Sequence, residues 1–182
     1  MIAKSLEFIF NQYSLLYLSI FTGSVNERLL MKTVYLDTET TGLNADDEIV
    51  EITIIDDDEN ILIDTLVKPT SHTEWPGAEQ VHGISPMDVR NAPTQMEISN
   101  QIRNIVRDCR VVIYNAPYDR QYLPELEEAF EIKCCMREFA EFNRSKWMSL
   151  ANATEIIGYV GQDSHRALPD TLACRAVWKA IQ

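Results

Sequence analysis

Positive charge is scarce in this chain: 16 Lys and Arg stand against 28 Asp and Glu, a formal net charge of −12. Phosphate binding usually rests on a basic footprint, so this balance argues against a protein that coats long duplexes. Paired cysteines are lacking too. Cys109, Cys134, Cys135 and Cys174 form no C-x-x-C and no zinc-ligand spacing, which leaves buried or incidental thiols in a reducing cytoplasm. Nor is there a long apolar run. The strongest, Leu6–Phe21, is sixteen residues broken by Glu7, Asn11, Gln12 and two serines, short of the ~20 that span a bilayer. Lys4 and that run suggest a signal peptide, but Thr22-Gly23-Ser24 makes a poor cleavage site. No membrane partner is expected.

What is present fits one globular domain. The 182 residues can bury a core, and 46% apolar with 24% charged residues is ordinary composition. Residues 1–30 form an apolar extension, and the motif-bearing domain occupies 31–182, opening at Met31-Lys32-Thr33. Either translation starts at Met31 or the extension is a loosely docked amphipathic helix. Gln12-Tyr-Ser-Leu15-Leu16 faintly resembles a sliding-clamp binding peptide.

The acids are unevenly spread. Residues 37–64 hold eleven Asp or Glu and no Lys or Arg, whereas Arg103 to Lys179 contains eleven basic residues. Cations bound by the acids would reverse the local charge where a substrate approaches. An enzyme acting on a short strand end is compatible with that pattern.

Thr33–Asp37 reads as a short buried strand, and Glu48–Ile55 and Asn60–Val67 as two more around a polar Asp56–Asn60 turn. Trp75–Val89 reads as a loop. Thr94 and Glu97 form a capping box ahead of Ile98, Ile102, Ile105 and Val106 at helical spacing. Val111–Tyr114 is the next strand. Asn115 can cap a helix that Pro117 begins, Pro124 breaks or restarts it, and Ile132–Met136 is a fifth strand. Ser149–Ile157 is helical to Gly158, and Pro169 opens the last helix. The fold class is α/β, a mixed five-stranded sheet flanked by helices.

Five residues carry chemistry in combination: Asp37, Glu39, Asp119, His165 and Asp170. The four carboxylates suit hard divalent cations, and the imidazole exchanges a proton near neutral pH. That inventory suits two-metal cleavage of a phosphodiester. Asp37 and Glu39, two apart on a strand, share a face ~6.6 Å apart along the chain. Gly42 follows and lets a substrate approach without a Cβ in the way. Asp119 and Asp170 each fall in the first turn of a helix, where the dipole alone could account for them. His165 lies in a loop five residues before Asp170, whereas His72 has no neighbour to recommend it.

Asp37-Thr-Glu39-Thr-Thr-Gly-Leu43, Val81-His82-Gly-Ile-Ser, Ala92-Pro-Thr, Asn115-Ala-Pro-Tyr-Asp119, Leu150–Gly158 and His165-Arg-Ala-Leu-Pro-Asp170 follow one another at normal spacing. In this the chain resembles the DnaQ-like 3′–5′ exonucleases of the DEDDh type, including the proofreading subunit of bacterial DNA polymerase, from Met31 to about Lys179. The resemblance implies a ribonuclease-H-like fold and two Mg²⁺ or Mn²⁺ ions. Asp37, Glu39 and Asp170 would hold the first ion, Asp37 and Asp119 the second, and His165 would be general base toward the attacking water. Thr38, Thr40, Leu43 and His82 would line the terminal nucleotide. Tyr118 and Trp147 could stack on bases, although a core position is the preferred reading for Trp147. The implied partner is a single-stranded 3′ end, DNA before RNA, with a polymerase or clamp as protein partner. The rival readings are an RNA exonuclease of the same family and a non-catalytic polymerase- or clamp-binding module.

Overall fold

A computed structural model of the protein describes residues 31–161 and 165–182. The expectations for residues 1–30, a late start, an amphipathic helix or a clamp-binding peptide, lie outside the described residues.

Five strands form one sheet in the order β3-β2-β1-β4-β5. They are β1 (Thr33–Thr40), β2 (Ile49–Asp56), β3 (Ile61–Leu66), β4 (Arg110–Ile113) and β5 (Glu131–Cys134). β1 pairs antiparallel with β2 and parallel with β4, while β2/β3 is antiparallel and β4/β5 parallel. The helices are α1 (Pro76–His82), α2 (Gln95–Val106), α3 (Ala116–Asp119), α4 (Cys135–Phe142), α5 (Leu150–Ile157) and α6 (Ala167–Ala180), with a 3₁₀ turn over Pro124–Glu128.

Both faces of the sheet are covered, and β1, β2 and β4 are buried at most of their positions. On one face Val34, Leu36, Ile52, Ile54, Val111 and Ile113 pack with Ile98, Ile102 and Val106 of α2. On the other, Tyr35, Ile55 and Val112 pack with Phe139, Ala153, Cys174, Val177 and Trp178 of α4, α5 and α6. These two periodicities place the acids. Asp37 follows Tyr35 by one strand step of two, and Asp170 precedes Cys174 by one helical step of four. Both carboxylates are therefore carried to the same end of the α6 side.

The sequence expectations differ from the structure at element ends. β1 runs three residues past Asp37 to Thr40. The supposed loop 75–89 contains α1, which Pro76 opens and Gly83 closes at φ 73°. The fifth strand stops at Cys134, and Cys135 and Met136 already belong to α4, a helix absent from the sequence expectations. Asn115 occupies the cap position of α3 without a side-chain capping bond. α6 starts at Ala167, so Pro169 lies inside its first turn, where a missing N–H costs nothing. The Thr94–Glu97 capping box is present as read.

Candidate active site

β4 pairs with β1 only over Thr33–Leu36. Beyond that point β1 keeps β2 as its neighbour, with a register shift between Glu39 and Thr40. Asp119 comes in at this end from α3, which follows β4. It is almost wholly buried, and the Thr38 hydroxyl donates to its Oδ1 at 2.8 Å. From the other direction α6 brings Asp170, so that ligand oxygens of Asp37, Glu39 and Asp170 lie within 4.8 Å of one another.

Bringing these acids together without a cation is unfavourable. Burial pushes Glu39 up to about 8, and the charges of Asp170, Glu51 and Asp119 add to it while Arg166 opposes them. Asp37 is raised well above the carboxylate range by loss of hydration, then by Asp119, Glu39 and Asp170. Asp119 is pushed up to about 7 by burial, although Thr38 donates to its ionised form. Being in the first turn of a helix does not explain Asp119: the burial cost outweighs that benefit. This oxygen-rich, mutually repelling donor set fits divalent cations, whose charge would remove the penalty.

His165 is exposed, sits at φ 44°, and lines with Asp170 a cavity of about 440 Å³. A second cavity of about 470 Å³ adjoins the acids at Glu39 and is lined by Thr40, Leu43, Trp75, His82 and Tyr118.

The four expected nucleotide-lining residues have distinct situations. Thr38 is buried, with its hydroxyl engaged by Asp119. The Thr40 hydroxyl bonds the Gly42 carbonyl at 2.7 Å and the Tyr118 hydroxyl at 2.5 Å. His82 accepts from the Ile84 N–H at Nδ1 (3.0 Å), so Nε2 carries the proton and donates to the Thr40 carbonyl at 3.2 Å. Both ring nitrogens are thus occupied by backbone, and burial keeps the ring neutral by lowering its pKa. Leu43 is 82% exposed yet firmly mounted. Tyr118 and Tyr122 donate to the carbonyls of Gly42 (2.9 Å) and Asn44 (2.8 Å), and Asp47 accepts from Thr41 Oγ1 and the Asn44 N–H. The room left by the missing Cβ of Gly42 is filled by Asp47, whose Oδ2 would lie 2.6 Å from such an atom. The glycine therefore serves the turn rather than opening a path to substrate. His72, unremarkable in sequence, pairs with Glu48 at 3.0 Å beside this loop. Although burial works against ionisation, N–H donors at Thr70 and Ser71 and the His72 ring hold Glu48 down to about 2.

Sequence reading missed Glu51. It faces Glu39 across the β1/β2 ladder and is 5% exposed. Its carboxylate accepts from Arg166 Nε at 2.9 Å, from Arg166 Nη2, and from the Ala167 N–H at 2.9 Å. The residues between His165 and Asp170 are thereby pinned to β2. A carboxylate amid Ile49-Val50 and Ile52-Thr53-Ile54-Ile55 was the available signal, since a buried charge needs a partner.

Residues 34–177 match the exonuclease family typified by RNase T. The chain is 34% identical over 158 residues to the uncharacterized exonuclease CP81 of Escherichia phage 186, covering 75% of this chain and 81% of that one. It is 30% identical over 99 residues to the DNA polymerase III epsilon subunit of Rickettsia prowazekii, but spans only 43% of that protein's length. Exonuclease X in complex with 5′ overhanging duplex DNA superposes with a TM-score of 0.66 at 28% identity, over 82% of this chain and 90% of the other. E. coli exonuclease I with a dT13 oligonucleotide shares the fold at 18% identity, TM-score 0.68, over 83% of this chain and 41% of that one.

Proposed function

The chain belongs to the RNase T family of exonucleases and has its ribonuclease-H-like sheet, and from that premise we propose that it removes nucleotides one at a time from single-stranded DNA 3′ ends in the cytoplasm. The observation that carries this reading is the convergence of Asp37, Glu39 and Asp170 within 4.8 Å, with Asp119 raising Asp37. Asp37, Glu39 and Asp170 would hold one Mg²⁺ or Mn²⁺, and Asp37 with Asp119 a second. Such ions supply Lewis acidity, easing water ionisation and neutralising charge on the phosphate oxygens.

The chain's own groups do the rest. His165, exposed and lining one cavity with Asp170, accepts the proton of the attacking water. Leu43 and Tyr118, in the cavity next to Glu39, take the terminal nucleotide, and His82 keeps the Thr40 backbone in place behind it. Thr38 orients Asp119 through its hydroxyl. Similarity to a polymerase subunit makes a DNA polymerase the protein partner to test first.

5′-labelled DNA and RNA oligonucleotides, incubated with and without Mg²⁺, test the reading. A ladder shortened from the 3′ end of DNA in Mg²⁺ alone is expected. Faster RNA shortening would reassign the sugar, and no shortening of either would leave the binding-module reading instead.

A further inference from the structure

Trp147 is not a core residue: it is 75% exposed, whereas Trp75 and Trp178 are 4% and 5% exposed. It sits in a connection, residues 143–149, whose composition departs from the rest of this acidic chain. Between Glu141 and Glu155 there is no Asp or Glu, but there are Arg144 and Lys146. Both cations are exposed and neither has an ion-pair partner among the described residues. The connection is anchored at both ends. The Ser145 N–H bonds the Ala140 carbonyl at 2.9 Å, and Tyr114 Oη donates to the Met148 carbonyl at 2.9 Å. Arg144 turns the chain at φ 49°, a conformation non-glycine residues seldom adopt.

The connection ends at Ser149, where it meets the cavity lined by Ser149, Leu150, Tyr159, His165 and Asp170. The other cavity adjoins the acids at Glu39. Glu39 and Asp170 are neighbours in the cluster, so both cavities border the acids. A scissile phosphate at the acids, with its terminal nucleotide in the Leu43 cavity, leaves the Ser149 cavity for the preceding nucleotide. We propose that Arg144, Lys146 and Trp147 receive the strand further upstream, beyond that preceding nucleotide, with phosphates at the two cations and a base on the indole. This rests on the proposed nuclease reading. The occupant is a single nucleic-acid strand because an exposed ring beside unpaired cations matches alternating bases and phosphates.

The test compares Trp147→Ala, Trp147→Phe and Arg144→Ala/Lys146→Ala with the parent, using a dT15 oligonucleotide and the dinucleotide pdTpdT. For Trp147→Ala the KM on dT15 rises about tenfold with kcat unchanged, pdTpdT kinetics stay as in the parent, and Trp147→Phe restores KM. The double variant lowers the slope of log KM against log salt on dT15 by about 1.4, at ~0.7 per phosphate contact. Unaltered KM on dT15, or an equal loss on both substrates, overturns the proposal. If the parent cleaves neither substrate, the nuclease reading fails separately, and dT15 binding is read in EDTA from the accessible tryptophan. Fluorescence unmoved by dT15, or a change that persists in Trp147→Phe, then overturns the landing site, while a change lost in Trp147→Phe supports it.

Discussion

Replacing Glu39 with glutamine should make the metal-free protein more stable, although it removes a residue placed at the centre of the chemistry. Burial and the neighbouring acids raise Glu39 from its ordinary 4.5 to about 8. At 1.36 kcal/mol per tenfold change in proton affinity, its ionised form is disfavoured by about 4–5 kcal/mol in the folded chain. Below pH 4.5 the folded and unfolded chains both hold the proton and no penalty exists. As pH rises towards 8 the unfolded chain has released it and the native one has not, so stability falls; above 8 the loss is complete. Glutamine is neutral throughout and escapes this. Because Asp37, Asp119 and Asp170 share the strain, about 2 kcal/mol is a fair net gain, or a melting temperature raised by about 4–8 °C. Thermal melts of parent and Glu39→Gln in EDTA should coincide near pH 4.5 and diverge towards pH 8. Adding Mn²⁺ at pH 8 should then stabilise the parent more than the variant. A variant no more stable than its parent in EDTA at pH 8 would refute the repulsive-cluster argument.

Two other perturbations separate the remaining parts of the site. His165→Ala should keep the melting shift that Mn²⁺ produces while kcat falls at least about 100-fold, the scale of a lost general base; near-normal turnover would remove His165 from that role. Glu51→Ala strands the Arg166 guanidinium and the Ala167 N–H, and with Arg166 partly hydrated the cost should be about 2 kcal/mol in urea unfolding. That variant should also lose turnover, because the turn between His165 and Asp170 is no longer tied to β2. An unchanged urea midpoint would count against the clamp.

β2, β3 and β4 were legible because they are rich in Val, Ile and Leu between turn formers, and each of them pairs in the sheet. α4 was missed because nothing separates it from the strand before it. Cys134-Cys135 carries no break signal between strand and helix, so the helical spacing of Cys135, Met136, Phe139 and Ala140 was absorbed into the end of the strand. α1 hid behind Pro76-Gly77, a pair that ordinarily marks a turn. At the site, residue types and spacing named the acids, but spacing says nothing about which groups support them. Glu51 and Arg166 are 115 residues apart, and their pairing exists only once α6 has docked. Trp147 misled because a large indole usually finds a core, whereas the described core is filled by Trp75 and Trp178.

The acids are dispersed from Asp37 on the central strand to Asp170 on α6. A ribosome therefore delivers the first pair long before the last one. A nascent chain halted anywhere short of α6 carries Asp37 and Glu39 but neither Asp170 nor the Arg166 clasp. The full acid cluster would thus assemble only once α6 has been made, and a chain truncated before it would lack Asp170.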